Sequence, residues 1–371
     1  MITQLRTPSR AAAALLALLA TAPAVLATGG PAQEKDKDTI QFKDGKTEPG
    51  LIKSEEYAGI TFNPAKGPAR TVEWKEVAPN GITYAGSPEY QAAKDMLDSG
   101  KLAEALPLFE ELLTDAKLRA VLKQNAEYYV AAIHQRTGDF DKAIEGYKKL
   151  VADFPKSRYL MEVGENLVAS YAGKGDLAPA GKALDELSSA ATSAGVEASF
   201  NSAVNVLKGR LLEEQKKYPE AQAAYGVAES ATGVPQSVVQ QARLGKARCM
   251  VALNKKSEAE QLLRAIVKED ASNAVLAGAW NGLGDITLEE GKKGSGDSEK
   301  LLDALFCYLR GVVQYAPLPG EPVTEYKRAM KNSAQVCEFI SQVEKNPDRK
   351  RVYKLRAQER ADQYKKEFPD G

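Results

Sequence analysis

The stretch TGDFDKAIEGYKKLVADFP, Thr137 to Pro155, opens on a turn, places small and aromatic residues at set intervals and stops at a proline. Its spacing recurs along the chain. Aligning the turn glycine, the small residue five further on, the large residue four beyond that and a closing proline produces a series. Gly100, Ala105 and Phe109 precede Gly138, Ala143, Tyr147 and Pro155, and Gly175, Ala180 and Leu184 follow. Ala221 with Tyr225, Ala259 with Leu263, Ala304 with Tyr308, and Ala357 with Pro369 continue it. The alanines lie 38, 37, 41, 38, 45 and 53 residues apart. Self-similarity at such a period marks a repeat architecture, in which each unit buries its apolar face only by stacking on its neighbours.

The apolar period over Ser87 to Pro369 is 3.6, so the units are helical. Each has a preceding helix with a small residue and a larger one three further on: Ala131 with His134, Val168 with Tyr171, Gly209 with Leu212, Ala247 with Met250. Two helices approach closely only where one presents a small side chain, so the alanines make room for Tyr147 and its equivalents. The stretch WNGLG, Trp280 to Gly284, nearly completes a W-x-x-L-G signature ahead of A-x-x-x-Y and proline. This pattern resembles the tetratricopeptide repeat family. The resemblance implies a mainly α fold: a right-handed α-solenoid of helix-turn-helix units, about seven pairs over residues 87–371. His134 and Trp280 fall at packing positions in it, which assigns the sole histidine to structure.

Between Asp38 and Tyr84 the apolar period is instead two: Ile40 and Phe42, Ile60 and Phe62, Val72 and Trp74, Ile82 and Tyr84, with Leu51-Ile52 between the first two pairs. Asp44-Gly45, Pro49-Gly50, Ala58-Gly59, the segment NPAKGPA and Asn80-Gly81 read as turns. Five short strands are predicted over residues 38–84. The run DTIQFKDGKTEPGLIKSEEYAGITF resembles the opening of an Sm-like or SH3-like barrel, which implies a small N-terminal β-barrel-like domain. Mixed charge in this module gives no basis for RNA binding, which needs phosphate-neutralising cations and stacking aromatics. No nucleic-acid partner is expected.

Upstream, Arg6 and Arg10 precede an uncharged run from Ala11 to Leu26 that ends in small residues. That is the pattern of a secretory signal peptide over residues 1–27, with Ala24 or Ala27 as the last residue removed. The polar stretch 28–37 reads as a flexible linker. Export to the periplasm or cell envelope is the expectation. Removing residues 1–27 leaves 48 basic against 50 acidic residues. Cys249, Cys307 and Cys337 form no CxxC pair and are odd in number, so they read as buried small hydrophobes, with a Cys307–Cys337 bridge as the alternative.

The sequence contains no HExxH, GxSxG, GxxxxGK[ST] or GxGxxG motif, and no His/Cys cluster. Catalysis, cofactor and metal are therefore not expected. The family resemblance implies recognition: a groove lined by first helices that takes a partner's peptide or acidic segment. The position next to each small residue would face it, and reads Lys94, Ala132, Ala169, Arg210, Arg248 and Asp285. Arg210 and Arg248 are successive and suit a carboxylate as an arginine pair. Tyr90 and Tyr128 are the aromatic candidates, and would serve a rival reading, a cell-wall polysaccharide binder. An enzyme with its site in the groove or in the loop Gly291 to Ser298 is the other rival. The basic C-terminal helix, with nine basic against five acidic residues from Lys345 to Gly371, is expected to cap the array. Any membrane contact would be peripheral, through its cationic face.

Overall fold

The computed structural model describes residues 37–293, 296–318 and 322–369. The signal-peptide reading and nearly all of the predicted linker lie outside them. So does part of the Gly291–Ser298 loop.

The five expected strands are present as β1 (Asp38–Phe42), β2 (Thr47–Glu56), β3 (Gly59–Pro64), β4 (Arg70–Val72) and β5 (Val77–Thr83). They form one antiparallel sheet in the order β4-β3-β2-β1-β5. No ladder joins β4 to β5 among the described residues, so the sheet is open and the barrel expectation is corrected. Two predicted turns are strand residues instead. Gly50 lies inside β2, where a Cβ would sit 2.5 Å from the Phe62 ring of β3: glycine is there for close approach, not for a bend. Asn80 and Gly81 lie inside β5, where the register against β1 jumps from Ile40–Ile82 to Phe42–Val77. Trp74 falls in a 3₁₀ turn (Trp74–Glu76) and not in β4. Ile40, Ile52, Ile60, Phe62 and Val72 bury one face of the sheet.

Fourteen α-helices follow among the described residues. The consecutive pairs are α1 (Pro88–Asp98) with α2 (Leu102–Leu112), α3 (Ala120–Arg136) with α4 (Phe140–Asp153), α5 (Leu160–Gly173) with α6 (Ala178–Ser193), and α7 (Ala198–Glu214) with α8 (Tyr218–Ser230). Next come α9 (Gln236–Ala252) with α10 (Lys256–Ile266), α11 (Asn273–Gly291) with α12 (Ser298–Leu309), and α13 (Thr324–Val343) with α14 (Pro347–Glu367). Each first helix packs on its own second helix, and from α3 onward also on the next first helix, α3 to α5, α5 to α7, and so on to α13.

The repeat spacing has a visible cause. Ala143, Ala180, Ala221, Ala259 and Ala304 are fully buried, and so are Phe109, Tyr147, Leu184, Tyr225, Leu263 and Tyr308 beside them. Tyr225 of α8 is gripped by Gly209 of α7 and Gly245 of α9, where added Cβ atoms would lie 2.5 and 2.2 Å from its ring. The tyrosine hydroxyls are not orphaned: Tyr147 donates to Gln135 at 2.8 Å, Tyr225 to Glu213, and Tyr308 to Asp285 at 2.8 Å. Turn geometry is as regular. Gly100, Gly138 and Gly175 have φ of 75°, 84° and 74°, and the next amide in each bonds back across the helix end, Asp139 to the His134 carbonyl at 2.8 Å for one. Where the glycine is missing the conformation persists: Lys216 and Asn254 occupy the same place at φ 58° and 61°.

A left-handed non-glycine residue costs about 1–2 kcal/mol, so Lys216→Gly is expected to raise stability by about 1 kcal/mol. Gly245→Ala, which drives a methyl into Tyr225, should lower it by about 1–3 kcal/mol. Urea titrations of the two variants check both signs.

Candidate functional site

Sheet and helices are joined by two carboxylates that the strands bury and the helical units satisfy. Asp38 accepts from the amides of Ile52 at 2.8 Å and Ala85 at 2.9 Å, and takes both Nη groups of Arg119, which precedes α3, at 2.8 and 2.6 Å. Arg119 also donates to the Ile52 carbonyl at 2.9 Å. Glu55 of β2 accepts from the Tyr84 hydroxyl and from Arg158 Nη1 at 3.0 Å, while its carbonyl accepts from Gln124 Nε2 at 3.0 Å. Asn125 donates to Tyr84 at 2.8 Å, and its side-chain oxygen accepts from Tyr159 at 2.8 Å. Buried charges hold a fold only when paired and hydrogen-bonded, as both of these are.

Above this junction an open cleft runs along the first helices. One part, of about 470 Å³, lies between β5 and α1, lined by Tyr90, Lys94, Asp98, Tyr129 and Arg158 among others. The adjoining part, of about 790 Å³, shares Asp98 and Tyr129 and extends over Tyr128, Ala132 and Arg136 to Asn166 of α5. Arg158 lies over the Trp74 ring at 4.3 Å and the Tyr159 ring at 4.9 Å. Burial works against its charge, and the neighbouring Tyr159 and Glu55 outweigh it, so its pKa is raised. Burial also pushes Tyr84, Tyr90 and Tyr159 well above the ordinary tyrosine value, and Tyr128 up to about 12.

Three expected groove residues fall in this cleft, and their roles differ from the reading of the sequence. Lys94 lines it but is paired with Asp98 at 2.5 Å. Tyr90 is 4% exposed, edge-on to Tyr84 and Phe109, and is therefore a junction residue and not a free groove aromatic. Tyr128 is half-buried and stacks face to face on Tyr159 with centroids 3.8 Å apart. The remaining two, Arg210 and Arg248, share a second cleft of about 610 Å³ with Glu325 and Arg328. They do not form an arginine pair. Arg248 is held by Glu213 at 2.8 Å and by Glu325 of α13 at 3.3 Å, whereas Arg210 is exposed and donates to Gln241 at 2.8 Å. Asp285 likewise does not face a groove: Tyr308, Arg328 and Asn332 surround it, and burial raises its pKa against the pull of Arg328.

Arg136 and Arg158 were not anticipated. The first ends a helix whose neighbouring residues fit the packing pattern, and the second follows the proline that closes a unit. Only contact with the sheet distinguishes Arg158, and no local spacing encodes that. His134 is 8% exposed, as the packing reading requires, with Glu110 and Asp139 carboxylates at 3.9 and 3.8 Å. All three cysteines are free thiols, so Cys307 and Cys337 are not bridged. Among the described residues no group of three metal-ligating side chains converges, and no helix is long and apolar enough to cross a membrane.

Fold and clefts define a helical-repeat protein carrying an N-terminal open sheet. Tetratricopeptide repeat models match residues 125–157 and 206–274, so these two stretches of the helical array are tetratricopeptide repeats. Repeats of this kind generally serve as scaffolds for protein–protein interaction and are typically non-catalytic. No curated protein matches the sequence. Similar solved structures include a tetratricopeptide repeat protein of Parabacteroides merdae, at 15% identity and a TM-score of 0.41, covering 73% of this chain and 99% of that one. The C-terminal part of a repeat-containing protein of Cytophaga hutchinsonii matches at 10% identity and 0.44, over 71% and 92%. A thermophilic repeat protein of Thermus thermophilus matches at 19% and 0.31, over 49% and 90%.

Removing Arg248 takes from the largely buried Glu213 its one cationic partner among the described residues and from Glu325 one of two, so Arg248→Ala is expected to cost about 3 kcal/mol, against about 0.5 kcal/mol or less for Arg210→Ala. Thermal melts of the pair test this. The tyrosines carry a pH dependence. A group whose folded pKa exceeds its unfolded one adds stability that is complete below the unfolded value and lost as pH rises through the folded one. For Tyr128 that window runs from 10.0 to about 12. Urea stability should fall across it, and Tyr128→Phe should fall less steeply; equal slopes would contradict the assignment.

Proposed function

We propose that the protein is an exported, non-enzymatic scaffold of the bacterial periplasm or cell envelope, which binds other proteins along the face formed by its first helices. The cleft shared by β5, α1, α3 and α5 carries the reading. It is continuous over several units, and its lining differs from unit to unit while the packing beneath repeats. Interior sameness with surface variation suits a surface selected for a partner. The N-terminal sequence supports export. Placement of the sole histidine in the packing between units supports the absence of catalysis.

The polysaccharide reading needs aromatic ring faces open to a sugar. The residues considered for it offer little of that: Tyr90 is buried in the junction, and Tyr128 is half-buried with one of its two faces stacked on Tyr159. Protein binding is therefore preferred.

Crosslinking in cells followed by purification from the envelope fraction tests the proposal. The expected result is a mature chain beginning after Ala24 or Ala27 and recovered with a protein partner in fixed stoichiometry. A chain that retains Met1 in the cytoplasm removes the export part. Absence of any protein partner, together with co-sedimentation of the pure protein with cell-wall polysaccharide, removes the scaffold part.

A further inference from the structure

The two arginines that seat the sheet are used very differently. Arg119 engages Asp38 with both Nη groups and spends a further bond on the Ile52 carbonyl. Arg158 gives Glu55 a single Nη1 bond. Its Nε–H and Nη2 protons meet no acceptor among the described residues, and its side chain remains 31% exposed within the cleft. A guanidinium held in place by a buried carboxylate and two aromatic rings is fixed in orientation before any ligand arrives, and its remaining planar edge matches a carboxylate. At the far end of the cleft, Arg136 is exposed and forms no hydrogen bond or ion pair among the described residues. Of the charged residues lining the cleft, Lys94 is paired with Asp98 and Arg158 spends one Nη on Glu55 beneath it, with Glu162 near enough to Tyr128 and Arg158 to act on both; the uncommitted cationic groups are Arg136 and the outer edge of Arg158.

We propose that this cleft recognises side-chain carboxylates of an extended acidic segment in the partner protein, with Arg158 and Arg136 as the two contact points and Lys94 supporting them from beside Asp98. The inference rests on the protein-binding reading and adds the chemistry of the bound segment. Side chains and not backbone pairing carry the recognition. The open edge of β5, which borders the cleft, contains Pro79, which has no N–H to donate, and Asn80 at φ 55°, which bends the strand out of ladder geometry. A polyanion such as RNA would need a run of uncommitted cations along its backbone, and this cleft offers only Arg136 and one edge of Arg158.

Fluorescence anisotropy on the intact mature chain provides the test, with three labelled probes of one length. The first is a Gly/Ser-spaced peptide bearing three glutamates and an amidated C-terminus, the second its glutamine counterpart, and the third the glutamine peptide with a free C-terminal carboxylate. The glutamate peptide is expected to bind at least about tenfold more tightly than either glutamine peptide. Arg158→Lys keeps a cation for Glu55 but removes the planar edge, and should erase most of that preference. Arg136→Gln touches nothing that holds the fold and should weaken the glutamate peptide about fivefold. If Arg158→Lys fails to fold, the Arg136→Gln measurement still decides. Equal binding of the glutamate and glutamine peptides, preference for the free C-terminus, or an unchanged preference in Arg136→Gln overturns the proposal. If a protein partner is nevertheless recovered by crosslinking, the scaffold reading stands without it. If no partner is recovered either, both fail.

Discussion

Of the two buried carboxylates at the junction, Glu55 is the one that connects the parts of the chain that make the cleft. It leaves β2 carrying a charge that cannot stay in a buried site unpaired, and the helical units supply the remedy: Tyr84 from the strand exit, Arg158 from the turn between α4 and α5, and Gln124 on its carbonyl. Asn125, Tyr159 and Tyr129 extend the same network into the first-helix face. Because each partner comes from a different element, satisfying Glu55 fixes where β5 sits against α1 and α3. The cleft is a consequence of that placement.

Beyond the junction the array is held by a simpler rule. A small residue on one helix admits a large one from the next, and the hydroxyl of the large residue finds a polar group on the first helix. Tyr225 between Gly209 and Gly245 is the tightest case, with Glu213 on its hydroxyl. Glu213 then holds Arg248, and Arg248 reaches Glu325 two units on, so a packing contact becomes a charge network. That is why the arginine expected to face a partner is spent within the chain. The more exposed Arg210 keeps a single neutral partner in Gln241.

These two rules differ in how well a sequence displays them. Packing of consecutive helices is local and periodic, and the burial of Ala143, Tyr147, Ala221 and Tyr225 follows directly from their spacing. Even the left-handed turn is legible at Gly138, and only its persistence at Lys216 and Asn254 is hidden, because neighbours impose it there without a glycine to announce it. Junction contacts span large separations in sequence and have no period. Nothing near Tyr90 shows that a sheet will cover it, and nothing near Arg158 shows that Glu55, 103 residues earlier, lies beneath it. Asn80-Gly81 has the composition of a turn yet lies in a bulged strand, since pairing with β1 overrides the local preference.

What the first-helix face touches is decided by where a partner lies on the assembled protein. Photocrosslinking amino acids placed in living cells at Ala132, on the floor of the cleft, and at Ala223, exposed on the second helix α8, separate the alternatives. Discrete protein adducts from Ala132 and none from Ala223 are predicted. Adducts from Ala223 with none from Ala132 would place the interaction on the opposite helices and contradict a function built on the cleft.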